Sequence, residues 1–435
     1  MKFLRKLFQN KTVQNSGWLI GGKLAQMLIS LVVSLLTARY LGPSNFGLIS
    51  YASSYTAFFT SLCTLGINSL LVKELVDKPE KEGEILGTSI GLRAMSSFLS
   101  ALTIVALVSV IDRNEPVTIW VTVLCSLGLI IQVTDAFIYW FQRHLQARYT
   151  AIATFVAYVV TAAFRVVLVI SGQSVVLFAL ATAVDHVVLG AFLIYFYRKN
   201  GGQRLGFSWK YGKDLLSRSK YFILSGMMIA IYGQTDKLML KQMLDVTQTG
   251  FYATATTVNN LWCFALSAVI QSLVPGVMEA FKAGDMALFK SRNKQLYAIV
   301  FYVSVAVAVL FNIFADLVIW ILYGAEFMPA AMPLRIVSWY TAFSYLGVAR
   351  DPWIVSMNRQ KHLFKLYASA AAANVILNYC LIPLWGASGA AVASLVAQIL
   401  TGFVLPFFIK DLRPNAKLML EAIMLKGALP GKQKN

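Results

Sequence analysis

Charge is what this chain has least of. Asp, Glu, Lys and Arg make up 13% of its 435 residues and hydrophobic residues 58%, where a soluble domain carries roughly 25% charge. A water-soluble reading would need one enormous core. Cysteine is scarce as well: Cys63, Cys125, Cys263 and Cys380 all fall inside apolar runs, with neither CxxC nor Cys/His spacing. They read as packing residues, so no disulfide framework and no metal site is expected. No GxxxxGK[ST] stretch is present, which excludes a phosphate-cradling loop and leaves a gradient or the substrate's own downhill flux as the energy source. Long outer connections are missing too. Segments such as 171–173 and 324–331 are too short for a catalytic lobe outside the membrane, so a membrane-bound glycosyltransferase or polymerase is disfavoured and no catalytic residue is assigned.

What the chain does have is about twelve apolar runs, at 18–40, 46–72, 85–111, 117–141, 149–170, 174–197, 221–244, 250–274, 296–323, 332–356, 364–384 and 386–409. Each is long enough to cross a bilayer, because a helix rising about 1.5 Å per residue needs about 20 residues for about 30 Å of hydrocarbon. Lys and Arg gather in alternate connections, most densely at 198–220, while the opposite side holds little beyond Arg39, Arg113 and Lys241. This bias predicts that both termini are cytoplasmic. It also accounts for the net charge of +19 through basic loops facing anionic lipid, with no nucleic-acid partner. The basic segment 1–15 carries Phe3, Leu4, Leu7 and Phe8, the pattern of a short interfacial helix and not of a cleaved signal peptide.

The fold class expected is an all-α polytopic membrane protein of two six-helix bundles around a central cavity. The bundles are 1–200 and 221–410, joined by a cytoplasmic linker at 201–220 and followed by a basic cytoplasmic tail at 411–435. A faint repeat supports the duplication, since Leu41, Gly47 and Ala52 match Leu244, Gly250 and Ala255 at one common offset. Transporters with parallel repeats place substrate between the halves.

Ionisable residues inside the apolar runs are the functional candidates, because one at a helix centre costs about 2.5–3.5 kcal/mol on insertion scales. The cations are Lys23, Arg93, Arg165, Lys237, Arg335 and Arg350; the anions are Asp135, Asp185, Asp236, Asp316 and Asp351, with His186 next to Asp185. Lys23 and Arg93 lie roughly 10–12 Å into their runs. Arg335, Asp316 and Asp135 sit near run ends, where a charge reaches the interface. Asp236 and Lys237 are adjacent, which leaves two readings open, partial self-pairing or a cavity role, and Arg350-Asp351-Pro352 reads as a pair at a proline kink. Lys23, Arg93, Arg165 and Lys237 are therefore assigned to binding an anionic head group, with Arg suited to bidentate phosphate contact. Asp135, Asp185 and Asp236 are candidates for coupling to H⁺ or Na⁺. Gln26, Asn68, Tyr232, Gln234, Asn259, Asn260 and Asn374 add polar groups at depth, and Trp140, Trp262 and Trp339 add flat faces suited to sugar rings.

Several stretches carry a family resemblance: Ala38-Arg-Tyr-Leu-Gly-Pro-Ser-Asn-Phe-Gly-Leu, Thr235-Asp-Lys-Leu-Met-Leu, Gly250-Phe-Tyr-Ala-Thr-Ala, Leu322-Tyr-Gly-Ala-Glu-Phe and Asn378-Tyr-Cys-Leu-Ile-Pro-Leu-Trp-Gly-Ala-Ser-Gly-Ala-Ala. Over essentially its whole length the chain resembles the oligosaccharide flippases of the multidrug, oligosaccharidyl-lipid and polysaccharide exporter superfamily. The resemblance implies a non-enzymatic flippase in a bacterial inner membrane. Its substrate would be an undecaprenyl-pyrophosphate-linked oligosaccharide, an O-antigen or capsule repeat unit moved to the periplasmic leaflet. It also implies polysaccharide polymerase and chain-length proteins as partners and no resident cofactor. Two rival readings stand beside it: a cation-coupled drug antiporter of the same superfamily, and a membrane enzyme acting on polyprenyl-linked sugars.

Overall fold

A computed structural model of the chain describes residues 11–359 and 361–426, without the side chains of 11–25, 28, 69, 221 and 225. Phe3, Leu4, Leu7 and Phe8 of the expected interfacial helix, and the Lys23 side chain, lie outside the described residues. Every element among the described residues is helical. Contacts divide the chain into two compact units, Met1–Ala230 and Ile231–Asn435.

The first unit contains α1 (Lys11–Cys63), α2 (Asn68–Asp77), α3 (Glu82–Ile111), α4 (Pro116–Ile131), α5 (Ala136–Arg143), α6 (Ala147–Ile170), α7 (Val175–Ala179), α8 (Ala181–Lys199) and the start of α9 (Trp209–Met243). The second holds the rest of α9, then α10 (Val246–Lys282), α11 (Met286–Tyr323), α12 (Ala331–Ser356), α13 (Lys361–Gln398), a π-helical segment (Ile399–Val404), α14 (Leu405–Phe408) and α15 (Arg413–Ile423). Among the described residues, seven helical stretches are long and apolar enough to cross a membrane. Two apolar runs share α1, broken at Gly42 (φ 69°) before Pro43, and two share α13, broken at Gly386 (φ 55°); about twelve crossings fit this architecture. Leu310, Ile313, Leu317 and Trp320 of α11 are exposed, an apolar band of the kind that a bilayer covers. The connections after α5 and after α12 end on left-handed residues, Leu145 and Asn358, and those after α6 and within α13 on Gly172 and Gly386. Left-handed residues thus recur after the fourth and tenth runs and after the fifth and eleventh, whereas Gly42 and Gly324 have no left-handed counterpart at Asp245 and Asp112.

Cys63, Cys125 and Cys263 are buried, whereas Cys380 is exposed on α13, so only the first three pack within the protein. Trp140 is 2% exposed and packs with Phe137, Phe141 and Tyr197. Its Nε1 donates to Glu82 at 2.7 Å, which makes it part of the first unit's core and not a sugar platform.

The segment after α8 does not hang free. Gly206 N donates to the Gly83 carbonyl at 3.1 Å, Ser208 N to Thr88 Oγ1 at 2.9 Å, and the Gln203 side chain accepts from Gly83 N at 2.9 Å. Such a close approach needs Gly83, Gly87 and Gly91 on one face of α3. An added Cβ would lie 2.2 Å from the Arg204 carbonyl oxygen, 2.2 Å from the Gly206 carbonyl oxygen and 2.9 Å from the Phe207 ring, respectively. A clasp closes the end of this strap, where the buried Glu74 carboxylate accepts from Lys78 at 2.9 Å and Tyr211 at 3.0 Å and pairs with Arg218. Burial opposes that charge, but the three donors outweigh it and hold the Glu74 carboxyl down to about 2. Because the folded value is depressed, the clasp's contribution is complete above the ordinary carboxylate range and is lost only as pH falls toward about 2.

Gly87→Ala should gain helix propensity yet lift the strap. If opening becomes easier by about 1.4 kcal/mol, trypsin should cut after Arg204 about tenfold faster than in the unmodified protein. Unchanged cleavage would show that the strap does not depend on the glycine face.

Candidate functional site

Polar groups at membrane depth form two separate clusters, one in each unit. In the first unit α3, α6, α8 and the turn between α4 and α5 supply them. A 3₁₀ turn over Gln132–Asp135 interrupts the fourth apolar run and ends on Asp135. Its Oδ1 lies 3.9 Å from His186 Nδ1, and neither of these buried atoms has a hydrogen-bond partner. Arg93, 2% exposed, donates through Nη2 to Asn68 Oδ1 at 2.6 Å. Its guanidinium lies 5.6 Å from the centre of the Tyr139 ring, and its Nε is without a partner.

Next to this network a cavity of about 310 Å³ is lined by Tyr158, Thr161, Arg165, Asp185 and His186 together with Ile29, Ser30 and Val33. Asp185 accepts from Thr161 Oγ1 at 3.3 Å. Arg165 and Asp185 line the same wall without forming a contact ion pair, so Asp185 is not locked to either arginine. Gln26 donates to the Tyr158 hydroxyl and thereby ties α1 to α6.

The second unit treats its carboxylate differently. Asp236 on α9 is 5% exposed. Its Oδ1 accepts from Asn374 Nδ2 at 2.9 Å and Asn378 Nδ2 at 2.7 Å, and its Oδ2 from Ser394 Oγ at 2.6 Å and from the Tyr252 hydroxyl. Four neutral donors thus take the place of the self-pairing with Lys237 that adjacency left open. Lys237 lines a cavity of about 180 Å³ with Tyr232, Gln234, Asn259, Asn260 and Tyr340. It has no hydrogen bond or contact ion pair among the described residues.

The remaining charges are structural. Arg335 Nη2 pairs with Asp316 at 2.6 Å. Arg350, 3% exposed, donates to the Gly402 carbonyl at 3.1 Å and lies a loose 3.9 Å from Asp351, which accepts from the Tyr367 hydroxyl at 3.0 Å.

Of the assigned residues, the structure groups Arg93 with Asp135 and Arg165 with Asp185 in one unit, and Asp236 with Lys237 in the other. Tyr139, Tyr158, Thr161, Tyr252, Asn378 and Ser394 escape the sequence reading. The spacing of Asn374 and Asn378, four apart and so on one helix face, is the one signal that would have found a member of the Asp236 shell. No group of three or more His, Cys, Asp or Glu suited to a metal occurs among the described residues.

A buried carboxylate left one donor short should destabilise the protein by about 1–3 kcal/mol. Ser394→Ala removes one hydroxyl with little change of shape and should lower the melting temperature of the detergent-solubilised protein. An unchanged melting temperature would mean that the four-donor shell is not worth this much.

Residues 12–281, more than half the chain, match the model of a family described as polysaccharide biosynthesis protein. No curated protein sequence matches. Among solved structures the chain is similar to an inward-facing multidrug resistance MATE family transporter of the MOP superfamily, with TM-score 0.68 and 14% identity over 91% of this chain and 96% of that one. It is similar to the lipid II flippase MurJ in an inward closed conformation, with TM-score 0.67 and 14% identity over 93% and 91%. A Pyrococcus furiosus MOP superfamily transporter, whose binding pocket of reverse polarity suggests a different function, gives TM-score 0.54 and 13% identity over 94% of each chain. The chain belongs to the polysaccharide biosynthesis protein family and has the fold of MOP superfamily transporters.

Proposed function

We propose that this protein is a flippase for lipid-linked oligosaccharides, moving an undecaprenyl-pyrophosphate-linked O-antigen or other repeat unit from the cytoplasmic to the periplasmic leaflet by alternating access. The observation that carries the reading is that Arg165 and Lys237 each line a cavity at membrane depth without a contact counter-ion. Cations so placed are held ready for an anionic group that enters from outside, and pyrophosphate is such a group. Membership of a polysaccharide biosynthesis family supports the glycan end of the substrate. Arg93, with one hydrogen bond and an unpartnered Nε, adds a third cation. The protein makes and breaks no covalent bond in this scheme. It works in a bacterial inner membrane with both termini cytoplasmic, beside the polymerase and chain-length proteins that use its product.

Coupling falls to the carboxylates. Asp236 would take a monovalent cation if the Asn374 and Asn378 amides turned their carbonyl oxygens inward, an exchange in which contacts to the cation replace the two amide hydrogen bonds that the carboxylate gives up. The buried Asn378 Oδ1, without a partner, is an oxygen already available. Asp185 and Asp135, beside His186, would carry a proton.

The test is flipping of a fluorescent lipid-linked oligosaccharide in proteoliposomes. Arg165→Ala should slow it roughly 10–100-fold, the equivalent of about 1.5–3 kcal/mol for a lost charge-assisted hydrogen bond, and Arg165→Lys should retain part of the rate. Asp236→Asn should flip substrate but ignore an imposed Na⁺ gradient, and Asp185→Asn should ignore a pH gradient. Drug efflux without flipping by the unmodified protein would replace the proposal with the antiporter reading.

A further inference from the structure

The transport scheme leaves one cavity unused. It measures about 360 Å³, belongs to the first unit, and is lined by Lys78, Lys81, Glu84, Ile85, Ser208, Lys210, Tyr211 and Asp214. It opens where the 3₁₀ turn Pro79–Lys81 leads into the membrane-crossing stretch Pro79–Ile111, on the side where the basic connections gather.

Charge accounting within the cavity is specific. Lys78 is engaged by Glu74 at 2.9 Å and Asp214 by Arg218 at 2.7 Å. Lys81, Lys210 and Glu84 have no hydrogen-bond or ion-pair partner among the described residues. The free set is therefore two ammonium groups and one carboxylate. A simple anion would meet repulsion from Glu84, and a simple cation would be repelled by both lysines. A ligand carrying a phosphate and a primary amine meets both signs.

The strap beside the cavity supplies the apolar half of the recognition. Its hydrogen bonds to Gly83 and Thr88 hold Gly206 and Ser208 against α3. The alternate residues Leu205, Phe207 and Trp209 are left 49%, 54% and 49% exposed. A fixed row of three large apolar side chains beside basic residues at the end of a membrane helix matches the headgroup boundary of a bilayer.

We propose that this cavity is a binding site for a glycerophospholipid with an aminoalkyl phosphate headgroup in the leaflet facing the basic loops. The phosphate lies between Lys81 and Lys210, the primary amine donates to Glu84, and the glycerol and acyl chains run along Leu205, Phe207 and Trp209. A trimethylated amine has no N–H to donate to Glu84, and an anionic headgroup without an amine leaves Glu84 unpaired, so both bind more weakly. The site is independent of the flippase reading, because it involves none of the residues given to substrate or coupling.

The experiment is native mass spectrometry of the full-length protein with phosphatidylethanolamine, phosphatidylglycerol and phosphatidylcholine in turn. Phosphatidylethanolamine adducts should persist best. Lys81→Ala/Lys210→Ala should lower their occupancy about tenfold. Glu84→Gln should remove the preference over phosphatidylcholine while phosphate-dependent binding remains. On the unmodified protein, a photoactivatable phosphatidylethanolamine should cross-link to residues 78–85 or 208–214, and this readout is independent of how well the variants fold. Equal retention of the three lipids, stronger retention of phosphatidylglycerol, absence of cross-links from these segments, or equal binding of water-soluble glycerophosphoethanolamine would each overturn the proposal.

Discussion

Hydrocarbon offers no hydrogen bonds, so a carboxylate buried within it must take donors from neighbouring helices, and much of the second unit is arranged around that need at Asp236. Its shell comes from α10 through Tyr252 and from both limbs of α13 through Asn374, Asn378 and Ser394. The two limbs face each other because the chain reverses at Gly386, whose φ of 55° L side chains rarely adopt. Gln248 accepts from Ala387 N at 2.9 Å directly after the reversal, and an added Cβ at Gly386 would lie 2.5 Å from the Gln248 oxygen. The reversal thus sets Ser394 against Asn374 at 3.0 Å, and the pair against Asp236. With the carboxylate satisfied by neutral donors, Lys237 makes no contact ion pair with it.

The first unit solves the same problem less completely. Arg93 Nε, Asp135 Oδ1 and His186 Nδ1 are all buried and unpartnered, and Asp135 and His186 stand at the limit of ion-pair distance. A saturated shell fixes geometry, because any ligand must displace a bond already made. An unsaturated one stores interactions that an incoming group completes, since leaving a buried polar atom unmade is what costs free energy. The two carboxylate shells therefore differ in what an added group would meet: open polar atoms in the first unit and bonds already made around Asp236 in the second.

Much of the fold was legible in the sequence, because length and apolarity alone decide whether a helix crosses a bilayer. The Gly42-Pro43 break between two runs could be read in the same way. The left-handed residue Leu145, by contrast, is not announced by its residue type. The site was half legible. Depth picked out Arg93, Arg165, Asp185, Asp236 and Lys237, but adjacency left the partners of Asp236 open: consecutive helix residues point in different directions, and Asp236 finds its donors on other segments. The turn Gln132–Asp135 that precedes α5 contains neither Gly nor Pro, so no residue of it announces a break in the helix. Trp140 was misread because burial of an aromatic depends on long-range packing, here with Phe137 and Tyr197.

Arg350 shows how far such a partner can lie from the local sequence. Arg350-Asp351-Pro352 reads as a self-contained charge pair supporting its own kink, yet the guanidinium reaches Gly402 within the π-helical segment Ile399–Val404. A π-helix displaces carbonyls from the regular i to i+4 pattern, and a buried cation that satisfies one of them stabilises the irregularity. The segment starts directly after Gln398, which accepts from Tyr232 at 2.8 Å, and about one turn after Ser394. Arg350's charge is thus spent on the backbone, and this deeply buried arginine lines neither the cavity that holds Arg165 nor the one that holds Lys237.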